Sequence, residues 1–216
     1  GAVATATYQK ATATVYTNWN TAEKCFRMTI GNDSYLPPAA SGSYTAVKAP
    51  TLAQLARNGA KQTAPGMSYV LQLADGRYIL IDGGGSDAAD EAALLQYLTE
   101  NKPAAHEKPV IALWMATHAH GDHIGLATDF LNHHGKEVKL EAIAHNFPDF
   151  HYNSASREDS MSMSALANRF LAAARAASPT LKRWILHTGQ TVEIAGAKIE
   201  ILYTPEDYFP NAIEWG

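Results

Sequence analysis

Three histidines and one aspartate lie within the six residues from His118 to His123. Neutral imidazoles and a carboxylate are ligands that suit zinc or a similar divalent metal ion. Side chains two residues apart on extended backbone point the same way, so His118 and His120 can hold one ion together. Gly121 permits a sharp turn, which would present Asp122 and His123 to a second position nearby. We therefore interpret this run as a metal site rather than as a polar surface loop.

The elements that must position this run are three apolar, strand-like segments at 110–116, 138–144 and 182–187. Two helical segments separate them, which predicts right-handed crossovers between parallel strands. The carboxyl ends of parallel strands meet at one edge of a sheet, where α/β proteins usually build their sites. The histidine run leaves the first strand, His145 leaves the second and His187 leaves the third. Both histidines are therefore possible pocket residues.

Capping residues and apolar periodicity predict the helices. We expect helices from Ser86 or Asp87 to about Glu100, from about Ile124 to His134, and from about Ser160 to Ala177. A shorter helix is predicted from Thr51 to Asn58, with Thr51 as its cap.

A β-hairpin is predicted upstream of the histidine run. The apolar segments 69–73 and 77–81 flank an Asp75-Gly76 turn of the type that joins two antiparallel strands. The second strand runs into Asp82-Gly83-Gly84-Gly85. This Asp-Gly-Gly element precedes the histidine run by one predicted helix and one predicted strand.

The pattern His-x-His-x-Asp-His after an apolar strand, together with the earlier strand and Asp-Gly-Gly, resembles the metallo-β-lactamase superfamily of hydrolases. The resemblance spans roughly residues 67–205. It implies an α/β fold, the αβ/βα sandwich of that superfamily, of which this chain shows mainly the first half.

The resemblance also implies roles for the site residues. His118 and His120 would bind a first ion, and Asp122 and His123 a second. The ions would be zinc, one or two per chain, with manganese or iron as further possibilities. A hydroxide formed on them would attack an ester, thioester, lactone, lactam or phosphodiester, and Asp122 could shuttle the proton. Asp82 would support the site by accepting a hydrogen bond from a ligand imidazole or the motif backbone, or would cap its own turn.

The chain departs from the family pattern after the third strand. Related enzymes supply a third histidine in a turn similar to Thr-Pro-Gly-His, and the corresponding place here is Thr204-Pro205-Glu206-Asp207. Asp207 is therefore a possible pocket residue, and it could replace the missing ligand together with Glu206. The later aspartate and the final histidine of the family have no counterpart before Gly216.

Two interpretations of this departure remain open. We expect a chain truncated after the first half of the sandwich; the alternative is a complete chain with a reduced site. An incomplete sheet would expose an unpaired strand edge. The missing segment, residues 1–50 or a second protomer would have to cover that edge.

Two domains are predicted. Residues 1–60 form a β-rich N-terminal segment, either extra strands or the stub of a neighbouring module, and residues 61–216 form the metallo-β-lactamase-like domain. The opening Gly1, without an initiator methionine, favours a protein whose leader was removed and which is exported.

Composition narrows the partners. The 216 residues carry a net charge of -4, which does not favour electrostatic binding to nucleic acid. No apolar run is long enough to span a membrane as a helix. We expect a small-molecule substrate. The alternatives are a phosphodiesterase similar to the DNA-uptake nucleases, whose turn also lacks the histidine, and a non-catalytic metal-binding protein with a partial site.

Overall fold

The computed structural model describes residues 43–55, 66–147 and 157–204, and the backbone of four strands within residues 1–42. The strands are β1 (Val3–Tyr8), β2 (Ala11–Tyr16), β3 (Met28–Ile30), β4 (Asp33–Ser34), β5 (Thr51–Gln54), β6 (Ser68–Gln72), β7 (Tyr78–Asp82), β8 (Val110–Ala116), β9 (Lys139–Leu140), β10 (Ala142–His145), β11 (Lys182–Ile185), β12 (Thr191–Ile194) and β13 (Ala197–Glu200). The helices are α1 (Ala88–Asn101), α2 (Gly121–His134) and α3 (Arg157–Ala177). None of these helices is both long enough and apolar enough to cross a bilayer.

One mixed sheet dominates the fold, in the order β1-β2-β3-β4-β11-β10-β8-β7-β6-β5, with β9 beside β8. Strands β7, β8, β10 and β11 run parallel to one another. The parallel crossovers predicted from the sequence are therefore confirmed, and the α/β fold class with them. The strand predicted at 138–144 is divided into β9 and β10 at Glu141.

The sheet is covered differently on its two faces. Leu80 and Trp114 belong to the core formed with α1, α2 and α3. Their strand neighbours Ile79 and Leu113 point to the other face, towards the β12–β13 hairpin. Because alternate residues of β7 and β8 are buried on both sides, these strands read as continuous apolar runs in the sequence.

The hairpin between β6 and β7 forms as predicted. The two strands pair antiparallel from Ser68↔Asp82 to Gln72↔Tyr78. In the turn, Gly76 has a φ of +84°, which L side chains rarely adopt. The Asp75 carboxylate accepts a hydrogen bond from the Arg77 amide at 3.1 Å. These two residues give the Asp-Gly turn its conformation.

The short helix predicted at 51–58 is wrong. Thr51–Gln54 is the edge strand β5, paired antiparallel with β6 from Thr51↔Gln72 to Gln54↔Tyr69. The exposed edge of β6 offers backbone N–H and C=O groups that need partners, and this pairing overrides a weak local helix preference. Residues 56–58 lie outside the described part of the chain.

Helix α2 begins at Gly121, three residues earlier than predicted. His120 is its N-cap, with extended backbone at φ -90° and ψ 152°. Asp122 and His123 therefore stand in the first helical turn rather than in a preceding loop. Gly121 is not among the described glycines with positive φ, so the sharp turn expected of it is replaced by a helix start.

The Asp-Gly-Gly turn after β7 is docked on the first turn of α2. The amides of Gly83 and Gly84 donate to the carbonyl of His123, at 2.7 and 3.2 Å. In return, the Leu126 amide donates to the carbonyl of Gly84 at 2.9 Å. A Cβ at Gly83 would lie 2.8 Å from the backbone nitrogen of Ala127, so the approach requires glycine.

Gly83→Ala should therefore destabilise the protein. The added methyl group must push α2 away from β7, and overpacking of this kind costs about 1–3 kcal/mol of the free energy of unfolding. Urea unfolding followed by circular dichroism measures the loss. Gly121→Ala is the matched control, because a Cβ there meets nothing within 4 Å. Equal unfolding midpoints for the two variants would contradict the close approach.

Candidate metal centre

The histidine run leaves β8 between the ends of two neighbouring strands. Asp82 is the last residue of β7, and His145 is the last residue of β10 and pairs with Ala116 of β8. Residues 117–120 connect β8 to α2. The candidate ligands thus lie at the carboxyl edge of the parallel strands, as the crossover argument requires.

His118 and His120 face each other through ring nitrogens. The Nε2 atom of His118 lies 3.0 Å from the Nδ1 atom of His120. A zinc ion bound tetrahedrally at its usual nitrogen distance separates two imidazole nitrogens by about 3.3 Å, so a small opening of the pair would admit one. His118 is partly buried and His120 is exposed. The pair is therefore reachable from solvent.

Asp122 and His123 form a second pair of donor atoms. The Oδ2 atom of Asp122 lies 3.7 Å from the Nε2 atom of His123. The carboxylate stands in the first turn of α2, where the helix dipole favours negative charge. The rings of His118 and His123 lie with their centroids 3.9 Å apart, which brings the two pairs side by side.

Asp82 is hydrogen-bonded to the chain segment that carries the candidate ligands. Its side chain is 1% exposed. Its Oδ1 atom accepts from the Thr117 amide at 2.8 Å, and its Oδ2 atom lies 2.7 Å from the Thr117 hydroxyl and 2.8 Å from Nδ1 of His123. Its own carbonyl accepts from the Trp114 indole at 2.9 Å. Asp82 therefore contacts both a candidate ligand imidazole and the motif backbone.

The backbone of Asp82 is unusual. Its φ is +56°, a left-handed conformation that non-glycine residues rarely adopt. The turn-capping role considered for this residue is not what the side chain does, since the Gly83 and Gly84 amides donate to the His123 carbonyl instead. The hydrogen bonds of the carboxylate and carbonyl offset the cost of this conformation.

Thr117 is a site residue that sequence reasoning missed. Its hydroxyl lies 2.7 Å from Asp82 Oδ2, 3.1 Å from His118 Nδ1 and 3.4 Å from His123 Nδ1. A signal was available, because a hydroxyl residue directly between a buried strand and a first ligand can reach the ligand ring. Only the folded position of Asp82 shows what the hydroxyl contacts.

Burial lowers the pKa of His118, and the neighbouring His123 and His120 add to the effect. The nearby carboxylates of Asp82 and Asp122 oppose it without reversing it. A lowered pKa keeps this imidazole neutral at neutral pH, and only a neutral imidazole has a lone pair to give to a metal ion.

The nitrogen and oxygen donor atoms are of the types that bind a divalent ion, but they form two separate pairs. Within residues 43–55, 66–147 and 162–204, no three His, Cys, Asp or Glu side chains are arranged to hold an ion as they stand. Each pair therefore supplies two of the roughly four ligands that a zinc ion takes. The assignment of His118, His120, Asp122 and His123 as ligands stays a prediction.

His145 is buried beside this edge rather than presented to solvent. Its Nδ1 atom accepts from the Phe147 amide at 3.1 Å, and its ring stacks on Phe147 with centroids 4.2 Å apart. Among the described residues, its buried Nε2 atom has no hydrogen-bond partner. Burial, with a smaller contribution from Arg183, lowers its pKa to about 3. His145 is thus a neutral interior imidazole.

The other two possible pocket residues are less informative. His187 lies two residues beyond β11, and its amide donates to the Gln190 side chain at 2.9 Å. Asp207 lies outside the described residues. The hydroxyl of Thr188, which lies in the loop after β11, is 3.0 Å from the hydroxyl of Thr204.

Comparison with known protein families gives one result. The family model described as the Metallo-beta-lactamase superfamily matches residues 63–201, which is more than half of the 216 residues. The matched segment contains β6 to β13, and with them Asp82 and the histidine run. No curated protein matches the chain.

The buried His145 should make folding sensitive to acid. Its pKa of about 3 lies below the 6.5 of an unfolded histidine, so between these values only the unfolded chain binds the proton. Stability therefore falls as pH falls, by about 1.4 kcal/mol per unit below pH 6.5. Between pH 8 and pH 5, wild type should lose up to about 2 kcal/mol more than His145→Gln in urea unfolding.

His133→Gln provides a comparison of opposite sign. The hydrogen bond to Glu91 raises the pKa of His133, so this residue stabilises the fold below pH 6.5 and the effect fades as pH rises. Removing it should make the protein more sensitive to acid, not less. Identical pH profiles for wild type and His145→Gln would contradict the argument from burial.

Proposed function

This chain belongs to the metallo-beta-lactamase superfamily, whose members are in general metal-dependent hydrolases, and from that premise we propose a hydrolase for a small-molecule ester, thioester, lactone, lactam or phosphodiester. The observation that supports the proposal is that the candidate ligands form two pairs, in each of which the donor atoms lie close together. The nitrogens of His118 and His120 face each other at 3.0 Å, while the far nitrogen of His118 lies beside Thr117 and that of His123 beside Asp82.

This arrangement assigns a metal-facing atom to each residue. His118 Nε2 and His120 Nδ1 would hold a first ion, and Asp122 Oδ2 and His123 Nε2 a second. In ligating histidines the other ring nitrogen is usually bonded to a carboxylate, carbonyl or water, which fixes the ring. Asp82 does this for His123. We propose zinc as the ion, since imidazole and carboxylate ligands suit it, and manganese or iron as alternatives.

A bound divalent ion supplies hydroxide at neutral pH and polarises the oxygen of the substrate. The rest of the chemistry belongs to the chain. Asp122 has a side chain that is 37% exposed, so its carboxylate can meet a substrate and take up or deliver a proton. The buried carboxylate of Asp82 holds His123, and the hydroxyl of Thr117 lies beside His118, so the two rings would position the reacting centre. His120 is exposed, so the candidate site can be reached from solvent on the side of this residue.

One observation favours a second candidate, a metal-binding protein without hydrolytic activity. Within the described ranges, no three candidate ligands are arranged around one point. A site with two ligands per ion would bind weakly and would leave the ion's remaining positions to water. Metal content and turnover together separate this candidate from the hydrolase.

Metal content should track the histidine run. Wild-type protein should hold about two ions per chain after dialysis, as a two-metal site requires. His118→Ala/His120→Ala should lose the first ion and Asp122→Ala/His123→Ala the second, measured by mass spectrometry of the eluted metal. His133→Ala is the matched control, since His133 is an exposed histidine at the other end of α2. Wild-type metal content in both double variants would refute the ligand assignment.

Activity should require both the ions and Asp122. Chromogenic esters, a thioester, a lactone, a lactam and a phosphodiester provide the test panel. The hydrolysed substrate should stop turning over on chelation and resume with added zinc, and Asp122→Asn should lower kcat by at least about a hundredfold. One weakly held ion and no hydrolysis of any panel member would support the non-catalytic candidate instead.

A further inference from the structure

The hydroxyl of Thr117 stands between one buried carboxylate and two candidate ligand rings. It lies 2.7 Å from Asp82 Oδ2, 3.1 Å from His118 Nδ1 and 3.4 Å from His123 Nδ1. The last distance is long, and His123 Nδ1 has a shorter contact of 2.8 Å with Asp82 Oδ2. His123 is therefore bonded directly to Asp82, whereas the hydrogen-bond contacts of the described residues connect His118 to Asp82 through Thr117.

The number of protons on each group determines which atom donates and which accepts in this chain of hydrogen bonds. An ionised carboxylate has no proton to donate, so Asp82 accepts from each group within reach. A threonine hydroxyl has one proton, and it points to the nearer, charged oxygen of Asp82. The Thr117 oxygen is then left to accept, and the partner that donates to it is His118 through an Nδ1–H.

The direction determines the tautomers of two rings. His118 and His123 both carry the proton on Nδ1, and each keeps a lone pair on Nε2. Those Nε2 atoms face His120 Nδ1 at 3.0 Å and Asp122 Oδ2 at 3.7 Å. A neutral imidazole in water exchanges between its two tautomers, so holding one of them removes a cost of metal binding.

We infer that Thr117 is a positioning residue that relays the orientation imposed by Asp82 to His118, so that one buried carboxylate presets the metal-binding tautomer of two ligands. The inference rests on the proposed function only in treating the two Nε2 atoms as metal donors. Because His118 Nε2 then carries no proton, its 3.0 Å contact with His120 requires a proton on His120 Nδ1, and that proton has to leave before an ion binds.

The role depends on the hydroxyl and not on the methyl group of Thr117. Thr117→Val keeps the shape and removes the hydroxyl, and Thr117→Ser keeps the hydroxyl and removes the methyl. Thr128→Val is the matched control, because the Thr128 hydroxyl bonds within α2, to the Ile124 carbonyl at 2.7 Å. All four proteins are compared at neutral pH with circular dichroism as a check on folding.

Nitrogen-15 spectra of the metal-free protein test the tautomers directly. His118→Gln and His123→Gln assign the two rings. Wild type, Thr117→Ser and Thr128→Val should show Nδ1–H for both. In Thr117→Val, His118 should become a mixture of tautomers while His123 keeps Nδ1–H through Asp82. An unchanged His118 in Thr117→Val overturns the inference, and so does the same change in Thr128→Val. If Thr117→Val does not fold, loss of Nδ1–H from both rings in Asp82→Asn supports the shared origin, and retention overturns it.

Zinc affinity, measured by competition with a chromophoric chelator, tests the consequence. Loss of an outer hydrogen-bond partner typically weakens metal binding by about 10–100-fold, and we expect this for Thr117→Val. Thr117→Ser and Thr128→Val should bind like wild type. Equal weakening in the serine variant would overturn the relay. The tautomer experiment needs neither metal nor turnover, so a chain that hydrolyses nothing can still confirm the relay, and an active hydrolase can still refute it.

Discussion

The site depends on the hydrogen bonds that the carboxylate of Asp82 makes. This carboxylate is almost fully buried at the end of β7, and it accepts hydrogen bonds from the amide of Thr117 and contacts its hydroxyl and the ring of His123. A buried carboxylate without such partners would cost several kilocalories per mole, so the loop after β8 and the first turn of α2 must come to it. The same carboxylate thereby joins three separate chain segments at the edge of the sheet.

The surrounding packing makes this contact possible. The parallel pairing of β7 with β8 places Asp82 beside the end of β8, from which the histidine run leaves. Gly83 lets α2 approach so closely that its backbone meets the turn, and the carbonyl of His123 receives two of the turn's amides. Trp114 closes the arrangement from within the core, with its indole on the carbonyl of Asp82 and its ring edge-on to Phe130. The contacts that position the candidate ligands therefore continue into the helix-facing core.

Much of this could be predicted from the sequence, because the signals were local. The apolar run at 110–116, the Asp75-Gly76 turn and a cap of α1 at Ser86 or Asp87 each depend on a few adjacent residues. The structure confirms the strand and the turn, and it selects Asp87 as the cap. For Thr51–Gln54 the sequence predicts a helix where the structure has a strand, because this strand depends on pairing with β6. The sequence predicts a start of α2 at about Ile124 rather than at Gly121, because a helix that starts without a side-chain cap leaves little trace in the sequence.

The sequence by itself determined the residue types of the candidate metal site and their place at the end of a buried strand, since residue types and spacing along extended backbone are local properties. Only the tertiary structure decided what lies beside each ring nitrogen of these histidines. That depends on Asp82 and Thr117, which are 35 residues apart in the chain and meet only when β7 and β8 pair. It also decided that His145, equally placed in the sequence, becomes a neutral interior ring stacked on Phe147. Long-range packing, which the local pattern of residues does not contain, sets the environment of each imidazole.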